Sequence, residues 1–194
     1  MDSHMWDTRY EEKDLIWSAE PNIFLPPIVA GLEVGTALDL ACGEGRNSIW
    51  LAGAGWDVTG VDFSGVAIDK AKTLAGDIAV DWHVADITAY ESLRAFDLVI
   101  VVYVHLGPEA MQALFDTATD ALAPGGTLIA VGHALRNLTD GVGGPPYPEI
   151  LWTDETIASL VGGLEVVSLG EVLRPVDESD VDAIDILLHA TKPA

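Results

Sequence analysis

The stretch Leu38-Asp39-Leu40-Ala41-Cys42-Gly43-Glu44-Gly45-Arg46-Asn47 opens as an apolar run and ends in Gly-x-Gly, after which a helical pattern begins at once. A strand that turns into a helix through two glycines exposes bare backbone amides, because Gly43 and Gly45 carry no Cβ to hold a ligand off. Nineteen residues past Gly43 stands Asp62, at the end of the next apolar run, where a carboxylate can accept both hydroxyls of a ribose. Strand, glycine turn, helix and distal acid together describe a nucleoside-type pocket.

Working outward, short apolar runs alternate with helical patterns, the signature of a parallel sheet covered on both faces. Residues 36–41 read as the first strand, 45–54 as a helix and 56–61 as the second strand. Ser64 caps a helix that runs to about Leu74 and stops at Gly76, with Ile68 and Ala71 inward. Residues 80–84 form a third strand, and 96–104, apolar and β-branched almost throughout, a strand buried at the sheet centre. Pro108 opens a helix that ends near Pro124-Gly125-Gly126, before a fifth strand over 127–132. Residues 153–161 read as the last helix, capped by Thr153 but with Thr156 where a capping box places Glu, so the cap is expected to be partial. Residues 164–173 and 183–191 complete seven strands. The Gly- and Pro-rich loop 141–148 is the only long irregular segment inside the domain, and the acidic run 177–185 reads as a solvated hairpin. The expected fold is α/β: a doubly wound, seven-stranded, mostly parallel sheet.

Composition narrows the partners. The 194 residues carry 9 Lys+Arg against 31 Asp+Glu, a formal charge of −22, which repels a phosphate backbone or an anionic membrane surface at long range. An apolar fraction of 49% places that charge on a folded body, and the single cysteine, Cys42, excludes an intrachain disulfide. The longest apolar run, residues 98–106, is too short for the ~20 residues that cross a bilayer. Neither nucleic acid nor membrane is expected as a partner, and the setting expected is cytoplasmic. Residues 1–4 read as an expression remnant, 5–30 as an N-terminal lid and 31–194 as the catalytic domain.

Two cofactor classes suit the glycine turn. A dinucleotide site calls for a third glycine, but that position is Ser48, and Asp39 at the end of the first strand suits a cationic ligand better than a pyrophosphate. Asp39-Leu-Ala-Cys-Gly-Glu-Gly45, Asp62, Asp86 after the third strand and Pro124-Gly-Gly126 resemble class I S-adenosylmethionine-dependent methyltransferases over residues 30–191. A narrower similarity, through Trp6-Asp-Thr-Arg-Tyr10, Trp17-Ser-Ala-Glu-Pro-Asn22 and Gly-Arg-Asn47, is to the tellurite-resistance and thiopurine small-molecule methyltransferases. The commonest form of the first motif has Gly where this chain has Ala41.

The resemblance implies S-adenosylmethionine as cofactor and a last strand that runs antiparallel. It puts backbone around Gly43 and Gly45 against the methionine moiety, Asp62 on the ribose, Phe63 on the adenine face and Asp86 on the exocyclic amine with Ile87 beneath it; Asp39, Asn47 and Val102 are further candidates for binding the cofactor. Asp86 equally suits the cap of residues 88–93, and Phe63 an ordinary core aromatic. Carboxyl ends of strands face the ligand crevice in such sheets, so Tyr103 and His105, just past the central strand, are the candidate catalytic residues. His133, Tyr147, Tyr10 and Trp17 are candidates for the acceptor side. No metal is expected. The expected reaction is methyl transfer to a small molecule: a thiol, a tellurite- or selenite-type acceptor, or a hydroxyl. The rival is a non-catalytic domain that binds S-adenosylmethionine, and a filled space beside Tyr103, His105 and Tyr147 would favour it.

Overall fold

An apolar stretch with no polar alternation has no face to give to water, and β4 (Phe96–Val102) behaves accordingly: Leu98 to Val101 are fully buried. In the computed structural model, which describes residues 20–177 and 179–194, β4 lies at the middle of a seven-stranded sheet of order β3-β2-β1-β4-β5-β7-β6. β1 (Thr36–Leu40) pairs in parallel with β4 and with β2 (Asp57–Asp62), and β2 with β3 (Asp81–Val84). β5 (Leu122–His133) continues the parallel order beyond β4. β7 (Ala183–Thr191) then inserts antiparallel between β5 and β6 (Glu165–Arg174).

The period of two along each strand sorts side chains between two cores. Leu38, Leu40, Val99, Val101, Leu128 and Ala130 face α4 (Pro108–Ala121) and α6 (Asp154–Leu160), where Leu114, Phe115 and Ile157 are buried. The intervening Ala37, Leu98, Ile100, Ile129 and Val131 face α1 (Leu25–Val29) and the buried Leu51 of α2 (Arg46–Gly53). Part of the expected lid, residues 25–29, is thus a short helix packed on the sheet. α3 (Gly65–Ala75) starts at Ser64, whose hydroxyl accepts from Ala67 N at 3.1 Å, and ends at Gly76.

Three features depart from the sequence reading. β5 begins at Leu122, not at residue 127: Leu122 pairs with Phe96 and Thr127 with Leu98, so residues 123–126 form a bulge inside the strand. Backbone bonds between Gly125, Gly126 and Lys192 fasten that bulge to the chain's end. The cap of α6 is complete, because the Thr156 hydroxyl accepts from Thr153 N at 3.0 Å while Thr153 Oγ1 accepts from Thr156 N at 3.2 Å; a hydroxyl replaces the usual carboxylate. The region after β5 also carries α5 (Asn137–Asp140) and a 3₁₀ turn (Pro148–Ile150) that the sequence reading left irregular. No helix among the described residues is long and apolar enough to cross a membrane.

Candidate active site

The glycine turn follows β1 directly, with Gly43 at φ 54° and Gly45 at φ 83°. Gly45 is fixed twice over: a Cβ there would come within 2.5 Å of the Trp82 ring, which reaches across from β3, besides requiring a left-handed backbone. Asp62, at the end of β2, closes the turn from the side. Its Oδ2 accepts from Gly43 N and its Oδ1 from Ser64 N, each at 2.9 Å. Each carboxylate oxygen has two lone pairs, so such a group has the acceptor count both to hold a turn and to take a ribose hydroxyl.

Asp39 is 1% exposed and accepts from Ser48 Oγ at 2.6 Å. Burial pushes its carboxyl up to about 7, against the Ser48 hydrogen bond, and the nearby Asp62 charge adds to the rise. Cys42 is buried, and burial pushes its thiol well above the ordinary range. Asn47 Oδ1 accepts from Asn22 N at 2.9 Å, so this side chain positions the N-terminal segment. Val102 is buried at the end of β4 and Ile87 is buried three residues past β3; Phe63 is half-buried directly after Asp62, and Asp86 is exposed. Asp86 Oδ1 accepts from both Thr88 N (2.9 Å) and Thr88 Oγ1 (2.7 Å), the turn-capping geometry anticipated as its other role. All these residues lie along the carboxyl edge of β1 to β4, a cradle whose bare turn and buried apolar walls fit S-adenosylmethionine.

The same edge carries a second cluster, beyond β4. Tyr103 has φ 57°, its hydroxyl donates to Asp185 Oδ2 at 2.8 Å, and burial pushes its phenol well above the usual range. The rings of Tyr103, His133 and His105 form a column, with centroids 4.8 and 5.3 Å apart. His105 is buried with both nitrogens on backbone: Nδ1 donates to Ile150 O at 3.1 Å, and Nε2 accepts from His133 N at 3.3 Å. Burial pushes its pKa down to about 4, so it is neutral at physiological pH. Tyr147 is not brought into the cluster and is 57% exposed, while Tyr10 and Trp17 lie outside the described residues. Among the described residues no group of three His, Cys, Asp or Glu could hold a metal ion.

Asp185 went unread in the sequence. The run 177–185 was expected to be solvated, yet Asp185 is 0% exposed, because β7 has already begun at Ala183 and the pairing with His133 puts Asp185 inside. Arg174 Nε donates to its Oδ2 at 2.8 Å, and His133 Nδ1 lies 2.9 Å from Oδ1, off the line of a good hydrogen bond. Burial alone would raise the Asp185 pKa, but contacts with His133, Arg174 and Tyr103 outweigh it and hold the carboxyl below the usual range. Arg46, the first residue of α2, is half-buried, and burial lowers its pKa against the attraction of Tyr103 and Asp39. Asn22 is the other residue missed: it is buried, its N–H donates to Asn47 Oδ1 and its Oδ1 accepts from Phe24 N at 3.0 Å. Its place in the Trp17 to Asn22 motif was the available signal.

A sheet of this order, with a glycine turn after β1, an acid after β2 and one reversed strand, is the arrangement of class I S-adenosylmethionine-dependent methyltransferases, which this chain resembles. The family model described as a methyltransferase domain matches residues 37–126. The chain is 29% identical over 175 residues to thiocyanate methyltransferase 1 of Arabidopsis thaliana, covering 86% of this chain and 75% of that protein. Its fold is similar to the N-methyltransferase NodS of Bradyrhizobium japonicum WM9, solved with S-adenosyl-L-homocysteine (TM-score 0.77, 19% identity, 100% of both chains). It is also similar to TehB of Haemophilus influenzae (TM-score 0.71, 18% identity, 86% of this chain and 60% of that one).

Proposed function

We propose that the protein methylates a small, soft, anionic acceptor, of thiolate, thiocyanate or selenite and tellurite type, and does so without a general base. The observation that carries this reading is where scarce cations stand. In a chain of charge −22 with nine Lys+Arg, the Arg174 guanidinium lies 5.5 Å from the centroid of the Tyr103 ring, and Arg46 begins the helix after the glycine turn. A nucleophile that arrives ionised has no proton to lose, which suits a site where both nitrogens of His105 are bound to backbone. The Arabidopsis relative, a thiocyanate methyltransferase by name, supports the same acceptor chemistry.

When bound, S-adenosylmethionine supplies an electrophilic methyl group on a sulfonium. The chain's part is alignment and exclusion of water. Gly43, Gly45 and Asp62 hold the donor from below, with Asp39, Asn47, Phe63, Asp86, Ile87 and Val102 around it. Tyr103 and His133 border the acceptor, and His105 holds His133 in place. Residues 5–30, whose 25–29 helix packs on the sheet, act as a lid, a role supported by the bond from Asn22 N to Asn47 Oδ1 that ties the segment to the helix after the glycine turn. A cytoplasmic setting completes the reading.

A screen of thiocyanate, thiophenol, selenite and phenol, read by release of S-adenosylhomocysteine, tests it. Turnover is expected with the first three. Turnover on phenol alone would reject the anionic acceptor.

A further inference from the structure

Asp185 joins four strands at one carboxylate. Arg174 reaches it from the end of β6 and Tyr103 from the turn after β4, while His133 stands opposite it on β5 and Asp185 itself belongs to β7. A fully buried carboxylate is tolerated only with such compensation. The Arg174 guanidinium also lies 5.5 Å from the centroid of the Tyr103 ring, so one cation serves both the carboxylate and the aromatic face. Charge at Asp185 thus offsets, at 2.8 Å from Arg174 Nε, the positive charge that Arg174 presents at the Tyr103 ring. The interior is poorly screened, so a whole charge gained or lost there is felt strongly a few ångströms away.

We propose that Asp185 is a specificity-determining positioning residue: by neutralising Arg174 and fixing the Tyr103 hydroxyl, it sets the positive charge met by the acceptor and favours monoanions over dianions. This rests on the anionic-acceptor reading above. Asp185 touches no reacting atom and acts through Arg174 and Tyr103.

The test uses the full-length protein saturated with S-adenosylhomocysteine and titrated with thiocyanate, a monoanion, and thiosulfate, a dianion, followed by tryptophan fluorescence. Asp185→Asn should tighten thiosulfate about tenfold and thiocyanate about threefold, raising the preference for the dianion. Arg174→Gln should move the preference the other way, and the double variant should return it to within about twofold of wild type, because the two charges leave together. Affinity for S-adenosylhomocysteine should stay within about threefold in all four proteins. A merely structural role would weaken both anions alike, and an unchanged preference across the four proteins overturns the assignment. If Asp185→Asn does not fold, Arg174→Gln against the charge-preserving Arg174→Lys reads the same preference. A wild type that binds S-adenosylhomocysteine but neither anion sinks the anionic-acceptor reading itself, and this inference with it.

Discussion

Ala41 and Tyr103 each follow the last residue of a parallel-paired strand, β1 and β4, and among the described residues they are the two non-glycines with positive φ, 62° and 57°. A left-handed backbone costs about 1–2 kcal/mol for a residue with a Cβ. Both strained positions lie where the carboxyl edge of the sheet opens, one at the glycine turn and one beside the Asp185 cluster. Strain of this kind persists only where surrounding bonds over-determine it, and the Tyr103 hydroxyl bond to Asp185 is one of them.

Replacing Ala41 by Gly should relieve that strain. The gain is offset partly by the freedom glycine adds to the unfolded chain, so a net stabilisation of about 0.5–1 kcal/mol is expected in urea unfolding. A loss of more than about 1 kcal/mol would contradict the left-handed assignment.

Asp62→Ala should weaken binding of S-adenosylhomocysteine about tenfold or more, since a charge-assisted bond to a ribose hydroxyl is worth about 1.5–3 kcal/mol. Stability should fall as well, because Gly43 N and Ser64 N lose their acceptor. Asp62→Asn separates the two effects: the amide oxygen keeps one backbone bond, whereas cofactor affinity still drops. An unchanged dissociation constant in a folded Asp62→Ala variant sinks the ribose assignment.

Asp39 gives stability a pH dependence of defined sign. Its folded pKa of about 7 stands above the unfolded value of 3.8, so the unfolded chain gives up the proton first as pH rises. The stability present below pH 3.8 is lost progressively up to pH 7, at no more than about 1.4 kcal/mol per pH unit for one proton. Unfolding of wild type and Asp39→Asn between pH 5 and 8 checks this: the difference should grow in favour of the variant as pH rises to 7 and then level off. Parallel curves would show that Asp39 does not titrate in that window.

His105 has the opposite sign. Its pKa falls from 6.5 to about 4 on folding, so its contribution is present above pH 6.5 and is lost as pH falls through 4. With thiocyanate, whose charge is constant over this range, the pH–rate profile should show no inflection near 6.5. His105→Gln should cost about tenfold at most, through misplacement of His133. A loss above about 100-fold in a folded variant would restore His105 as a base.

The donor half of the site was legible because it is written locally. Asp39, Gly43, Gly45 and Ser64 belong to strand–turn–helix units whose periodicity places them, and Asp62 meets Gly43 over only 19 residues. The cluster around Tyr103, the candidate acceptor side, is assembled by pairings the periodicity does not specify. Tyr103 and Asp185 are 82 residues apart, and an acidic run gave no sign that its last member pairs inward as β7 begins. Position alone pointed to His105; that Ile150 and the His133 amide occupy its ring follows from how the loop after β5 folds back. The bulge at residues 123–126 was hidden because Pro-Gly-Gly reads equally as a turn between elements or an interruption within one.

The reversed direction of β7 has an evolutionary and practical side. Because it runs against β5, its first residues and not its last arrive at the ligand edge, carrying Asp185 beside Tyr103. The hairpin that feeds it, joining Arg174 to Ala183, can lengthen, shorten or change composition without disturbing any strand that bears the glycine turn. On the proposed reading, acceptor preference and methyl-donor recognition reside in separately variable parts of the chain. A library confined to residues 133–152 and 171–187 would explore new nucleophiles while every member keeps the same donor cradle.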